Sequence, residues 1–360
     1  MDLTQIKPDR ILVVNIFGIG DVLFTTPMLR NLRRHFPQAR IDYLANRRVA
    51  PLLEAHELIE RVYVYERDEF VAARKRSPQE FLRKIGDLRG ELRAQRYSVL
   101  FDFSMNAMFS WMSLFLGVPH RIGFNYRHRS RWLTERMEIR GYEGRHVARY
   151  YLDLLERCGL TTEPDPLEVT IGAAGRDWAV DFLKRLGCDP AKPFLVVFPG
   201  GGSSWGASAD LKRWGVEKYA KLIHKIVENY PAQIILMGDN AEQNLCSKSF
   251  PQHPLIYKSF GQTTLGQLCS VLSLSAGVIC NDGGPLHMAV AAGAKTVSIF
   301  GPVDPQVYGP WPNGQHHEVV FSNIICRPCY RRFRMTDCEH MSCLRELSVN
   351  TVFEKVRAIL

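Results

Sequence analysis

The sequence predicts an α/β protein of two Rossmann-like, doubly wound domains facing across a cleft. Three observations carry the prediction. Short apolar runs of strand length alternate with helical segments along the chain, and the alternation occurs twice, on either side of a turn-rich break at Thr161–Pro166. The length of 360 residues also exceeds what one hydrophobic core usually holds. The expected domains are residues 1–172 and 173–345, with residues 346–360 forming a C-terminal helix available to pack back on the N-terminal domain.

In the first series, Ile11–Phe17 reads as a strand buried on both faces. A helix from Thr26 and Pro27 follows, then strands at 39–46 and 61–66. The helix over 77–95 opens with Ser77, Pro78 and Glu80, a capping signature. A strand at 98–103 and a helix at 145–159, closed by Gly159, end the series. The second series is predicted as a strand at 167–171, a helix at 173–187, a strand at 194–200 and a helix at 216–230. The alternation continues to Gly301.

Composition narrows the class. At 46% hydrophobic and 23% charged residues the chain is an ordinary globular protein, not a disordered one. No apolar run reaches the roughly 18 residues of a membrane span; the nearest, Phe103–Leu116, is shorter and carries Asn106, Ser110 and Ser113. The N-terminal charges are mixed in sign and no small-residue cleavage site follows, so a cytoplasmic location is expected. Nine cysteines, an odd number, fit a reducing compartment. The net charge of +9 points to an acidic partner. Residues 121–149 hold eight arginines against three glutamates, interleaved with Phe124, Tyr126, Trp132 and Tyr142.

In doubly wound folds ligands gather at the carboxyl ends of strands, so the residues just after each strand carry the functional reading. After the first strand comes Gly18-Ile19-Gly20-Asp21, whose glycines permit a tight turn and whose carboxylate stands at a cleft mouth. Asp21 is either a functional acid in a loop or the cap of a helix beginning at Val22. After the strand at 194–200 comes Pro199-Gly200-Gly201-Gly202-Ser203-Ser204, with Lys212-Arg213-Trp214 downstream, a set of amides, hydroxyls and cations suited to an anion. It is not a Walker loop, and a flexible surface loop is the alternative. Asn281-Asp282-Gly283-Gly284-Pro285-Leu286-His287 places donors at a helix start; the alternative is a capping Asp282 and a core His287. Cys326, Cys329, Cys338, His340 and Cys343 allow either a structural zinc or free thiols.

Together these motifs resemble the heptosyltransferases of lipopolysaccharide assembly, glycosyltransferase family 9, from Ile11 to about Val352. The resemblance rests on Gly20-Asp21…Pro27, Pro199…Trp214, Asp282–His287, Phe300–Pro305 and the late cysteine segment with its following leucine. It implies the GT-B fold of two Rossmann-like domains and an inverting, metal-independent transfer of a heptose or related sugar from a nucleotide-diphosphate sugar, most often ADP-heptose, with no cofactor. The N-terminal domain then takes the acceptor and the C-terminal domain the donor. Asp21 matches the base, and Lys212 the lysine on the donor phosphates. Gly201, Gly202, Ser203 and Arg213 belong to the donor loop, Asp282, Gly283, Gly284 and His287 to the diphosphate-binding helix start, and Glu242 to the ribose. Gly18, Gly20, Arg121, Arg127 and Arg129 are expected on the acceptor side. The implied partner is lipid A–Kdo or a core oligosaccharide at the inner leaflet of the inner membrane, bound peripherally. Two departures stand out: Gly283 replaces the usual Ser or Thr, and Gly215 replaces the Pro that follows Lys-Arg-Trp.

Three rival readings are separable. A nicotinamide oxidoreductase needs a third glycine where Leu23 stands. A nucleotide-sugar epimerase of the same two-domain plan turns over without an acceptor. A nucleic-acid-binding protein built on the Cys/His cluster shows salt-dependent binding.

Overall fold

A computed structural model describes residues 1–360 except 203–205, 247–248, 251, 313 and 315. The chain forms two compact units, Met1–Gly141 with Ala148–Asp165, and Tyr142–Val147 with Pro166–Leu360. Each contains one parallel six-stranded sheet. The first comprises β1 Arg10–Val14, β2 Arg40–Ala45, β3 Arg61–Val64, β4 Val99–Asp102, β5 His120–Tyr126 and β6 Glu135–Ile139, in the order β3-β2-β1-β4-β5-β6. The second comprises β7 Phe194–Phe198, β8 Gln233–Gly238, β9 Ile256–Phe260, β10 Gly277–Asn281, β11 Thr296–Phe300 and β12 His317–Phe321, in the order β12-β11-β10-β7-β8-β9. Both orders are the doubly wound pattern, and they place the topological switch points between β1 and β4 and between β7 and β10. The central strands β4, β7 and β10 are buried at every residue, as their unbroken apolar runs require.

Several local readings differ from the structure for physical reasons. Residues 167–171 form no strand. The arginine-rich segment contains β5 and β6, whose alternate residues Ile122, Phe124 and Ile139 enter the core while the charges face outward. Phe103–Leu116 yields the helix Ala107–Phe115, capped by the Asn106 side chain on the amide of Met108 at 2.9 Å. Ser77 caps Pro78–Ala94 through the amides of Gln79 and Glu80.

Residues 346–360 belong to the second unit. Val349–Val356 is a helix, and Val352, Phe353, Val356 and Ile359 join the core of the second sheet. Its amphipathic stripe finds the apolar face of the helix Val216–Asn229, with Lys225 reaching Asn350 at 2.6 Å. Residues 166–172 and the short segment Tyr142–Val147 also belong to the second unit. A linear division at residue 172 misses both. Among the described residues no helix is long and apolar enough to cross a membrane.

Candidate functional site

The predicted donor residues converge at the second switch point. Asn281, fully buried at the end of β10, accepts from the amide of Trp214 at 3.0 Å and donates to the Pro199 carbonyl at 3.3 Å. One side chain thereby ties the ends of β7 and β10 to the Lys-Arg-Trp segment. Gly201 and Gly202 follow with φ of +74° and +76°, a doubled left-handed turn that residues with a Cβ enter only at a cost. The indole of Trp214 is buried and donates to Leu347 at 3.0 Å, so the C-terminal segment braces the same loop.

Lys212 Nζ lies 2.7 Å from Asp282 Oδ2, both side chains largely buried. A cation thus stands beside Gly283 and Gly284, where the helix Gly284–Ala291 begins; Pro285 carries no N–H and the Leu286 amide donates to the Gly283 carbonyl at 3.1 Å, so the amides of Gly283 and Gly284 form the helix's open end. Pro285 occupies the first turn as expected. A Cβ at Gly283 would approach the Gly201 carbonyl to 3.0 Å, so the missing serine of this position accompanies a close passage of two loops. Gly215 has φ +105°, which proline cannot adopt, and the chain enters Val216–Asn229 through a turn special to glycine.

Two residues expected at the donor also make internal hydrogen bonds. Glu242 is buried, and its carboxylate accepts from the amides of Gly202 at 2.7 Å and Asp239 at 2.9 Å. A Cβ at Gly200 or Gly238 would fall within 2.4 Å of that carboxylate, so the two glycines leave it room. Burial raises the Glu242 pKa against those hydrogen bonds. The Gly202 amide is consequently engaged by Glu242 in this structure. Arg213 likewise donates to the Gly200 carbonyl at 2.5 Å and pairs with Asp210. Ser203 lies outside the described residues.

His287 is buried in the first turn of its helix. Burial, with His146 and Lys212 nearby, lowers its pKa to about 3, so it meets any anion as a neutral imidazole. His146 stacks on Trp311 at 4.8 Å, lies 3.0 Å from the Gly309 carbonyl through Nε2, and is held by burial at about 4. Sequence reasoning missed His146 and Asn281. Nothing local marks His146, whereas Asn281 stood in plain view immediately before Asp282.

In the first unit, Gly18 caps a five-residue helix, Ile19–Leu23, with Asp21 in its first turn and half-buried. The helix therefore starts earlier than Val22, and a new one, Thr26–His35, begins after a break, with Pro27 in its first turn. Asn15 Nδ2 donates to the Asp21 carbonyl at 3.0 Å, and Asn46 Nδ2 to Ile16 and Phe17 at 3.1 and 2.5 Å, latching the loop. Arg121 is set apart from this edge. It stands at the amino end of β5, and its guanidinium donates to Val118, Pro119 and Trp132 carbonyls. Arg127 and Arg129 follow the carboxyl end of β5 and stack on Tyr126 at 5.1 and 5.9 Å. Arg149 is paired with Asp153 and Glu156.

All nine cysteines are free thiols. Among the described residues no group of three or more His, Cys, Asp or Glu side chains is placed to hold a metal ion. Arg327 anchors the late cysteine segment to the carbonyls of Gly301, Ser322 and Val303. Cys326 is exposed while Cys343 is buried.

The buried histidines set an acid limit. His56 and His146 at about 4 and His287 at about 3 stay neutral when folded, while the unfolded chain protonates them near 6.5. Each contributes stability that is present above 6.5 and lost on acidification, about 2 kcal/mol by pH 5. Asp102, raised to about 6 by burial, acts oppositely and gains stability as pH falls. The expected net loss between pH 7 and pH 5 is on the order of 4 kcal/mol, read as a falling melting temperature. A flat profile contradicts it.

Two parallel sheets in doubly wound order, with a lysine and a glycine-opened helix start at the second switch point, are the architecture of the GT-B class. The chain belongs to glycosyltransferase family 9 (heptosyltransferase), which residues 85–340 match. It is 28% identical over 163 residues to lipooligosaccharide heptosyltransferase 2 of Campylobacter jejuni, covering 44% of this chain and 49% of that protein. The chain thus spans about half the length of that relative. It is 23% identical to lipopolysaccharide heptosyltransferase 2 of Escherichia coli, covering 98% of both. The solved structure of the Escherichia coli heptosyltransferase WaaC with ADP-2-deoxy-2-fluoro heptose superposes with a TM-score of 0.73 at 18% identity, covering 97% of this chain and 99% of that one.

Proposed function

We propose that the protein is an inverting glycosyltransferase that moves a heptose from ADP-heptose to a lipopolysaccharide core acceptor. The observation that carries the reading is the Lys212–Asp282 pair beside the Gly283/Gly284 helix start at a switch point, a place built for a diphosphate. Family membership and the bound ADP-sugar of the similar structure support it over an epimerase or a nucleic-acid-binding protein.

In this reading the acceptor hydroxyl attacks the anomeric carbon as the bond to the diphosphate breaks. Asp21 takes the hydroxyl proton, and the leaving diphosphate carries away the electron pair. Lys212 and the helix-start amides neutralise the charge that develops, which is the largest share of the stabilisation. Glu242, Arg213 and Asn281 position the loop. Arg127 and Arg129 face the acceptor side. No metal is assigned a role, and the acceptor is a lipid-borne glycan met at the inner leaflet, with the enzyme bound peripherally.

The test is mass-spectrometric detection of transfer, using a panel of nucleotide sugars against lipid A–Kdo and truncated core acceptors, with and without EDTA. Heptose transfer from the ADP sugar at an undiminished rate in EDTA is expected. Lasting loss of activity in EDTA overturns the metal-free mechanism, and turnover of donor without acceptor favours the epimerase.

A further inference from the structure

The helix Ala107–Phe115 carries no charged residue and is apolar on two sides. Phe109 and Met112 enter the core of the first unit with Leu92 and Leu116. The other side presents Trp111, Leu114 and Phe115, which are 47%, 43% and 41% exposed and spaced to share one face. Trp111 and Phe115 touch at 4.3 Å between ring centroids, and the Arg89 guanidinium lies 5.9 Å over Phe115. That contact joins the helix Pro78–Ala94 to the patch. Leu82, seven residues before Arg89 and on the same side of its helix, is 65% exposed.

Cations flank this apolar face. Arg89 lies over Phe115, and Arg83 and Arg93 are exposed on the helix that carries Leu82, beside exposed Asp87 and Glu91. Residues 67–96 contain nine Lys/Arg against five Asp/Glu. The Nε of Arg89 is buried with no hydrogen-bond partner among the described residues. An indole, a phenyl ring and leucines flanked by arginine match the headgroup and acyl boundary of an anionic bilayer. A second copy of the chain fits poorly, because a two-fold contact sets the basic rim against itself. The helix springs from the carboxyl end of β4, which pairs with β1 at Val14↔Asp102, and Gly18–Asp21 extends from that same sheet edge.

We propose that the face formed by Ala107–Phe115 and Pro78–Ala94 is the surface by which this protein sits on anionic phospholipid, a proposal that rests on the reading of a lipid-borne acceptor. It transfers the docking role from the Arg121–Arg149 segment, where Arg121 and Arg149 are internally engaged, to an apolar helix face with a basic rim. Docking there sets the edge that carries Asp21 toward the membrane from which the acceptor projects.

The test is flotation of the full chain with phosphatidylglycerol–phosphatidylethanolamine vesicles and with phosphatidylcholine vesicles. Wild type is expected to float with the first and not the second. The double variant W111Q/F115Q is expected to lower the bound fraction about tenfold while keeping the melting temperature and the transfer rate to a lipid-free acceptor. L82E, on the other helix, gives an independent loss. Undiminished flotation of both variants overturns the proposal, as does wild-type binding indifferent to lipid charge. A wild-type dimer that W111Q/F115Q splits in light scattering also overturns it, marking the face as a contact between copies. A wild type that floats but transfers no sugar strikes the enzymatic reading and not the face.

Discussion

Asp21→Ala should lower turnover by about 10²–10⁴-fold while donor affinity stays within about twofold of wild type. The expectation follows from placement. Asp21 hangs in the first turn of a five-residue helix capped by Gly18, at the carboxyl edge of the first sheet, in a unit separate from the donor residues. The loop before it is latched by Asn15 and Asn46. Removing the carboxylate removes the proposed proton acceptor. Asp21→Asn makes the same point with shape retained: it should fold with an unchanged melting temperature and be nearly as slow as the alanine variant. Initial rates, with calorimetry of ADP binding, check both. Transfer by the asparagine variant at close to the wild-type rate shows that the base is elsewhere.

Lys212→Ala is expected to have two separable effects. The first is structural: the Asp282 side chain is 4% exposed, and stripping its cation leaves a buried charge, which costs about 3–5 kcal/mol. The second is functional, since the diphosphate loses its cation and both ADP affinity and turnover fall, by about 10²-fold or more in kcat/KM. The double variant K212A/D282N separates them. With the uncompensated carboxylate gone, thermal stability should return most of the way, while ADP affinity stays weak. Recovery of affinity along with stability would mean that Lys212 serves only to neutralise Asp282. A double-mutant cycle on melting temperature and on calorimetric affinity reads the two couplings independently.

Much of the candidate donor site was legible because its signals are local. Pro199–Gly202, Lys212 and Asp282–His287 each follow a recognisable strand, and strand-following loops gather at one edge of a parallel sheet whatever the intervening sequence. What such reasoning did not supply was the internal partners of individual polar groups. Glu242, expected at the ribose, lies beside Gly200 and Gly238 and takes the Gly202 amide. Arg213 turns to the Gly200 carbonyl. The arginines of 121–149 looked like one patch because they are neighbours in the chain. Strand geometry disperses them, putting Arg121 at the amino edge and Arg127 and Arg129 past the carboxyl edge.

By itself the sequence determined the two strand–helix series, the turn chemistry after β1, β7 and β10, and the family, since each depends on residues within a few positions of one another. The tertiary structure alone decided that Tyr142–Val147 joins the second unit, bringing His146 to the neighbourhood of His287, and that the C-terminal helix closes the second core. It alone left Trp111, Leu114 and Phe115 outward on a helix whose opposite face is buried. The physical reason is common to all three. Which face of an apolar helix is covered, and which buried carboxylate meets which amide, follows from contacts between segments distant in sequence, and periodicity along the chain does not encode them.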